Sequence, residues 1–421
     1  MYQVEASRAL LKPRTWASPR ARISVPRNVF LLGTVSMLTD ISAEMVATVL
    51  PLYLVFSLGA SPLILGAVDG LYRGAAAIVQ VGSGLVSDRW QRHKEVATVG
   101  YGLSAICKVG LVAVGSSIGA IGSLVAVDRL GKGLRTAPRD ALISLSSTKE
   151  GLATSFGVHR AMDSAGAMLG PLVAFGILLA APARFDAVFV ISTLFAFLGL
   201  AVLVLAVQGR PRRAPRAAGS EPLQRVALDV LKDKRFRILL LGAGALALAS
   251  VSDALIYVGL QRQVDFAPTV FPLLFVVTAV VFMVLAIPVG RLADRVGRVP
   301  VLLSGHALLL PVYGILLSAG AGGTTTVCIA LVSLGAYYAA TDGVTTALAG
   351  AILPERLQAS GIGLLVTAVS LGQFASSVGF GALWFAFGLE SAVLVFGAAL
   401  VLALVVCVPL LMRIQREPLV E

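Results

Sequence analysis

Charged side chains are scarce in this sequence. Only 13% of its 421 residues are Asp, Glu, Lys or Arg, against about 25% in an average soluble domain. So few charges cannot cover a water-facing surface, which excludes an ordinary soluble fold. Lipid in place of water removes that demand. Cysteine is scarce too. Cys107, Cys328 and Cys407 sit within apolar runs, offer neither metal-site spacing nor a disulfide framework, and read as small packing residues. The three histidines form no His-Glu-x-x-His pair, and no nucleophile–base pair is visible. Gly131-Lys-Gly133 lacks the strand context and spacing of a phosphate loop. An enzyme, a metal and a cofactor are therefore not expected. No cleavable signal peptide is expected either. The first apolar run, from about Val29, is too long for one and carries acids in its middle.

What is abundant is apolar surface. Hydrophobic residues make up 57% of the chain, and the mean hydropathy is +0.90. Apolar segments of helical length fall at 28–57, 62–86, 96–116, 119–142, 152–181 and 185–207. A second set falls at 238–259, 268–290, 300–319, 325–350, 357–386 and 391–412. Twelve spans of about 20 residues need roughly 240, which this length holds. The sequence thus predicts an all-α membrane protein with twelve transmembrane helices in two six-helix bundles, at 28–207 and 238–412. A cytoplasmic arm (1–27), a basic, Pro- and Gly-rich linker (208–237) and a tail (413–421) complete it. Within the linker, 222–237 is predicted as a short amphipathic surface helix.

The net charge of +12 suggests nucleic acid until position is considered. Of the 34 Lys and Arg, 25 fall in segments that this topology puts on one side, and only Arg184 and Arg262 in loops on the other. This is the positive-inside asymmetry. It predicts an inner-membrane protein with both termini in the cytoplasm, and no nucleic-acid partner.

An internal repeat organises the chain. Gly84-Leu-Val-Ser-Asp88-Arg89-Trp-Gln-Arg92 recurs as Gly290-Arg-Leu-Ala-Asp294-Arg295-Val-Gly-Arg298, at an offset of 206 (290 minus 84). The same offset maps Pro62 onto Pro268 and Gly157 onto Gly363. Many transporters are built from such repeats, with the substrate site between them.

With these residues the sequence resembles the major facilitator superfamily over about 28–412. Gly84 to Lys94 resembles that family's loop between helices 2 and 3, with His93 altering its final basic pair. Arg129-x-x-Lys132-Gly133 resembles its helix-4 motif, with Lys where Gln is usual. Gly166-x-x-x-Gly170-Pro171 resembles a helix-5 motif of exporters, although Arg160 and Asp163 flank a stretch that exporters usually keep apolar. The resemblance implies gating roles for Gly84, Asp88, Arg89, Arg92, Gly290, Asp294, Arg295 and Arg298, which would latch one conformation. It implies structural roles for Gly166, Gly170 and Pro171, and a drug- or metabolite-exporter type of activity.

Ionisable groups at the bilayer centre cost about 2.5–3.5 kcal/mol each on insertion scales. The first half nevertheless carries seven cations (Arg73, Lys108, Arg129, Lys132, Arg135, Arg139, Arg160) and six acids (Asp40, Glu44, Asp69, Asp128, Asp140, Asp163). Asp128, Lys132, Arg135 and Arg139 are spaced 4, 3 and 4 and share one helix stripe. Asp69 and Arg73 form an i,i+4 pair. Asp40 and Glu44 are like charges at the same spacing, so one is protonated or both face cations. Near balance favours a neutralised network, part structural and part functional. Asp40, Glu44, Asp69, Asp128 and Asp163 are candidates for proton coupling.

At the matching offset the second half loses this charge: Asp69 maps to Phe275, Arg73 to Ala279 and Lys108 to Gly314. Asp253, Tyr257, Tyr337 and Asp342 remain. These four and the cations Arg73, Lys108, Arg129, Lys132 and Arg135 are the candidate substrate-binding residues. One charged wall and one aromatic wall suit an organic or amphipathic solute. The expected function is proton-coupled efflux of a small molecule by alternating access, by a protein active as a monomer. Import or exchange of an anionic solute held by the helix-4 cations is the alternative, and a non-transporting sensor a minor third.

Overall fold

The computed structural model describes residues 25–90, 92–148, 151–209, 229–318 and 323–416. Among them the chain is helical throughout. The first half holds α1 (Arg27–Leu52), α2 (Pro62–Trp90), α3 (His93–Ala113), α4 (Ile118–Ser146), α5 (Leu152–Ala180) and α6 (Phe185–Leu205). In the second half α7 is broken into Lys234–Leu248 and Asp253–Val264. There follow α8 (Phe271–Val296), α9 (Arg298–Ala307, then Leu309–Leu317) and α10 (Gly323–Ile352). The last helix, Glu355–Arg416, is non-helical at Gly388, where φ is +86°. It is two spans, α11 (355–387) and α12 (389–416), joined at a residue whose lack of a Cβ permits that turn.

Nine helices among the described residues are long and apolar enough to cross a bilayer, α11 and α12 counting as one. The two long helices outside that set are α2 and α4. α4 carries six charged residues, Asp128, Arg129, Lys132, Arg135, Arg139 and Asp140, which lower its hydropathy, and α2, Pro62–Trp90, is likewise of spanning length. Twelve crossings result, and the chain is a multi-pass membrane protein. Large apolar side chains such as Leu194, Leu241, Ile287 and Val405 are exposed, as lipid-facing positions are.

The repeat reappears as geometry. Trp90 ends α2 and Val296 ends α8; Ser146 ends α4 and Ile352 ends α10. Each pair is separated by 206 residues. At the joint after α8, Gly297 has φ +114°. Within the first half α1 packs on α5 and α6, α2 on α4, and α3 on α4. The ends of α1, α4 and α6 gather at one face. Asn28 donates to Ser146 Oγ (2.7 Å) and accepts from the Gln208 N–H (2.9 Å). Lys94 Nζ donates to the carbonyls of Val204 and Val207 at the end of α6, a favourable place for a cation.

Several expectations shift in detail. Residues 229–232 are helical, but 222–228 lie outside the described residues, and α7 starts at Lys234 rather than 238. Cys107 and Cys407 are buried, whereas Cys328 is exposed and does not pack inside. Gly84 and the side chains of Asp88 and Arg89 lie outside the described part of α2. Arg298 donates to Asp294 (3.3 Å) and to the Ala347 carbonyl of α10 (2.9 Å). Its contacts therefore tie together elements of the second half.

Candidate functional site: a charged cavity between the halves

The halves meet along α2 with α11 and α5 with α8. Glycine makes the first contact possible. Gly66, Gly70 and Gly74 form a stripe at four-residue spacing on α2. A Cβ at Gly66 would collide with the Ser377 carbonyl, and one at Gly74 would lie 2.9 Å from Phe374 Cβ. From α11, a Cβ at Gly381 would lie 2.5 Å from the Pro62 carbonyl. Backbones clasp here as small-residue stripes allow. The stripe is readable in the sequence, where attention to charge passed over it.

Between these glycines sit Asp69 and Arg73, and the clasp carries their chemistry across the interface. Arg73 Nε donates to Asp69 Oδ2 (3.2 Å) and its Nη2 lies 3.9 Å from Asp253 on α7. Ser377 Oγ of α11 donates to Asp69 (2.7 Å), and the Tyr338 hydroxyl of α10 to Asp253. The i,i+4 pair is thus also an ion and hydrogen-bond bridge between the halves.

Asp253 is placed by the break in α7. Residues 249–252 leave the helix, freeing backbone groups that a membrane interior cannot solvate. Tyr313 of α9 satisfies two of them, accepting from the Val251 N–H (2.8 Å) and donating to the Ala249 carbonyl (3.0 Å). Ser376 of α11 donates to the Ser250 carbonyl (2.6 Å). The second segment then starts at Asp253. No proline marks the break, so the sequence gives no warning of it.

A second network lies inside the first half, where the α4 stripe fans out. Asp128 accepts from Arg129 (2.5 Å) and lies 3.5 Å from Lys108 Nζ, with all three side chains buried. Arg129 also stacks on Tyr72 (4.0 Å), whose hydroxyl donates to Glu44 (3.4 Å). Arg135 stacks on Tyr101 (4.5 Å) and donates to Ser104 (3.2 Å). Arg139 pairs with Asp140 (2.9 Å), lies 3.9 Å from Asp163 and donates to Ser36 (3.3 Å). Ser36 also bonds His159 Nε2 (3.0 Å). Asp40 of α1 and Asp163 of α5 meet side chain to side chain. Lys132 lines the same cavity as Glu44.

The motif on α5 positions one of these acids. A Cβ at Gly166 would lie 2.5 Å from the Met37 carbonyl, and one at Gly170 2.8 Å from both Glu44 Cβ and the Ile41 carbonyl. The close approach is to α1, and it holds Glu44 at the cavity wall.

The cavity has adjoining parts. One of about 340 Å³ is lined by Glu44, Asp69, Arg73, Arg129, Lys132 and Asp253, with apolar groups such as Leu54 and Leu65. Another of about 270 Å³ shares Glu44, Asp253 and Phe275 with it and adds Pro171, Tyr257 and Asp342. A third, about 300 Å³, lies within the second half and is lined by His306, Tyr337, Asp342 and Gln373. Of the candidate residues, Asp40, Lys108, Asp128, Arg135 and Asp163 stand behind the wall, and the others face one of these spaces. Tyr257 is fully buried, its hydroxyl bonded to Thr278 (2.7 Å) and its ring edge-on to Phe275.

Comparison with known proteins agrees with this architecture. The Major Facilitator Superfamily signature matches residues 32–258 and 238–420. An uncharacterised MFS-type transporter of Methanocaldococcus jannaschii is 30% identical over 366 residues, 85% of this chain and 88% of that one. An uncharacterised protein of Mycobacterium tuberculosis is 33% identical over 159 residues, 38% of each chain. A mutant of the nucleoside transporter NupG superposes with a TM-score of 0.78 at 13% identity, covering 91% of this chain and all of that one. A POT family transporter in complex with 5-aminolevulinic acid gives 0.75 at 13% identity, covering 93% and 97%. At such identities the likeness is one of fold.

Proposed function

Because the chain belongs to the major facilitator superfamily, and is thus a membrane transporter rather than an enzyme, we propose that it is a proton-coupled exporter of a small organic or amphipathic compound, working by alternating access. The observation that carries this reading is the position of Glu44. It lines the cavity beside Lys132 and touches the buried network through Tyr72. Behind it, Asp40 and Asp163 meet as a carboxyl pair, and a hydrogen bond between two carboxyls needs one proton. A proton store thus stands one helix turn from an acid in the solute's path. A proton moving between store and cavity changes which carboxylates Arg129, Lys132 and Arg139 must neutralise, and so biases one packing of the halves over another.

Export rather than import is supported by the Gly166–Gly170–Pro171 motif and its grip on α1. The arginine-rich end is assigned to the cytoplasm by the positive-inside rule. The clasp at Gly66 and Gly381 then belongs to the opposite end, and the cavity is loaded from inside. Exchange of an anionic solute is the second reading. It is favoured by Arg129 and Lys132 in the cavity wall, although Arg129 is already engaged by Asp128.

The test is flux in proteoliposomes carrying an internal pH dye, after a thermal-shift screen of compound classes at two pH values has supplied a solute. Asp40→Asn and Glu44→Gln are expected to abolish gradient-driven movement while leaving the protein folded in the membrane. Full proton-driven transport by the double variant overturns the proposal.

A further inference from the structure

The two halves carry unequal charge. Away from the span ends, and leaving out the exposed Arg160, the first half holds six cations and six acids. The second half adds Asp253 and Asp342 and no cation, so the interior stands at six against eight. Asp253 is engaged by Arg73 and Tyr338. The carboxylate of Asp342, ten residues before the end of α10, has no side-chain hydrogen-bond donor and no cation within 4 Å among the described residues, and it stands exposed to the two cavities it lines. An ionisable group within a span that faces a cavity marks a substrate or ion path, and a carboxylate open in this way is free to meet a ligand's charge.

The 270 Å³ cavity that Asp342 enters has a consistent chemistry. Its acids are Glu44, Asp253 and Asp342, its rings include Phe275, Phe282 and Tyr338, and no Lys or Arg lines it. The buried hydroxyl of Ser252, beside Asp253, also lacks a hydrogen-bond partner. Aromatic faces attract cations, most strongly when water is excluded. A hard metal ion needs six to eight oxygen ligands, which these apolar walls do not provide. A substituted ammonium is weakly hydrated and apolar at its rim, and it matches both the rings and the acids. We propose that this part of the cavity seats an organic ammonium group, and that the transported solute is an organic cation whose apolar body extends toward Leu54 and Leu65 in the adjoining space.

This assignment rests on the transport reading for the role of the cavity, yet it can fail separately. The experiment is calorimetric titration of the purified full-length protein with benzyltrimethylammonium, and with benzylsulfonate as a probe of similar size and opposite charge. The ammonium is expected to bind and the sulfonate not. Asp342→Asn is expected to weaken binding about tenfold or more, and Asp342→Glu to retain it. Phe282→Ala, which leaves every charge in place, is expected to weaken binding severalfold and guards against a misfolded Asp342 variant. Binding of the sulfonate instead, binding of neither probe, or unchanged ammonium affinity in Asp342→Asn each overturns the assignment. Sulfonate binding together with gradient-driven flux would leave transport standing and the cation refuted. Ammonium binding without flux under any gradient would do the reverse.

Discussion

Substituting Tyr313 by Phe isolates the cause of the break in α7. The ring and its packing remain, so no cavity is created, and only the hydroxyl is lost. That hydroxyl serves both the Val251 N–H and the Ala249 carbonyl, and both residues are buried. A buried backbone group left without a partner costs about 1–3 kcal/mol, so two cost about 2–6 kcal/mol. Ser376→Ala, which removes one donor from the Ser250 carbonyl, should cost about 1–3 kcal/mol by the same reasoning. Reversible unfolding in mixed micelles measures both. The ordering matters as much as the sizes: Tyr313→Phe must be the more damaging. A loss below about 0.5 kcal/mol for Tyr313→Phe would show that the break satisfies itself, and would refute the view that α9 and α11 hold it open.

Other outcomes follow from the same geometry. Gly170→Ala places a methyl against Glu44 Cβ; it should cost about 1–3 kcal/mol by overpacking and reduce transport more than Pro171→Ala, read in the proteoliposome assay. Asp128→Asn leaves Lys108 and Arg129 as buried cations with a neutral neighbour; breaking such a pair costs about 3–5 kcal/mol, so this variant should unfold at markedly lower denaturant, and adding Lys108→Met, which removes one of the two stranded cations, should recover part of the loss. Gly66→Leu cannot keep the α2–α11 clasp, and crosslinking of cysteines placed at that end should fall severalfold without loss of folded protein.

The fold was legible because charge scarcity, segment length and a constant offset of 206 residues all speak about single helices and their order. The ends of α2 and α8, and of α4 and α10, keep that offset. The α4 stripe was legible for the same reason, since periodicity places Asp128, Lys132, Arg135 and Arg139 on one face. Periodicity says nothing about what stands opposite. It could not show that Arg73 reaches across to Asp253, that Asp163 meets Asp40, or that Lys108 and Arg135 stay behind the cavity wall. The break in α7 was hidden for a different reason. Residues 249–252 carry no breaker, and the hydroxyl that replaces their helical hydrogen bonds belongs to Tyr313, more than sixty residues further along.

Proton-biased exchange between two packings of the halves is measured most directly at the clasped end. With Cys107, Cys328 and Cys407 replaced, spin labels at Phe56→Cys and Phe387→Cys, both exposed and in different halves, report that distance by pulsed electron resonance. Two populations are expected, a short one matching the clasp and a longer one. Their ratio should shift between pH 6 and pH 8, roughly either side of neutrality where such coupling operates, and the shift should vanish in Glu44→Gln. A single short distance, unmoved by pH, would contradict the account.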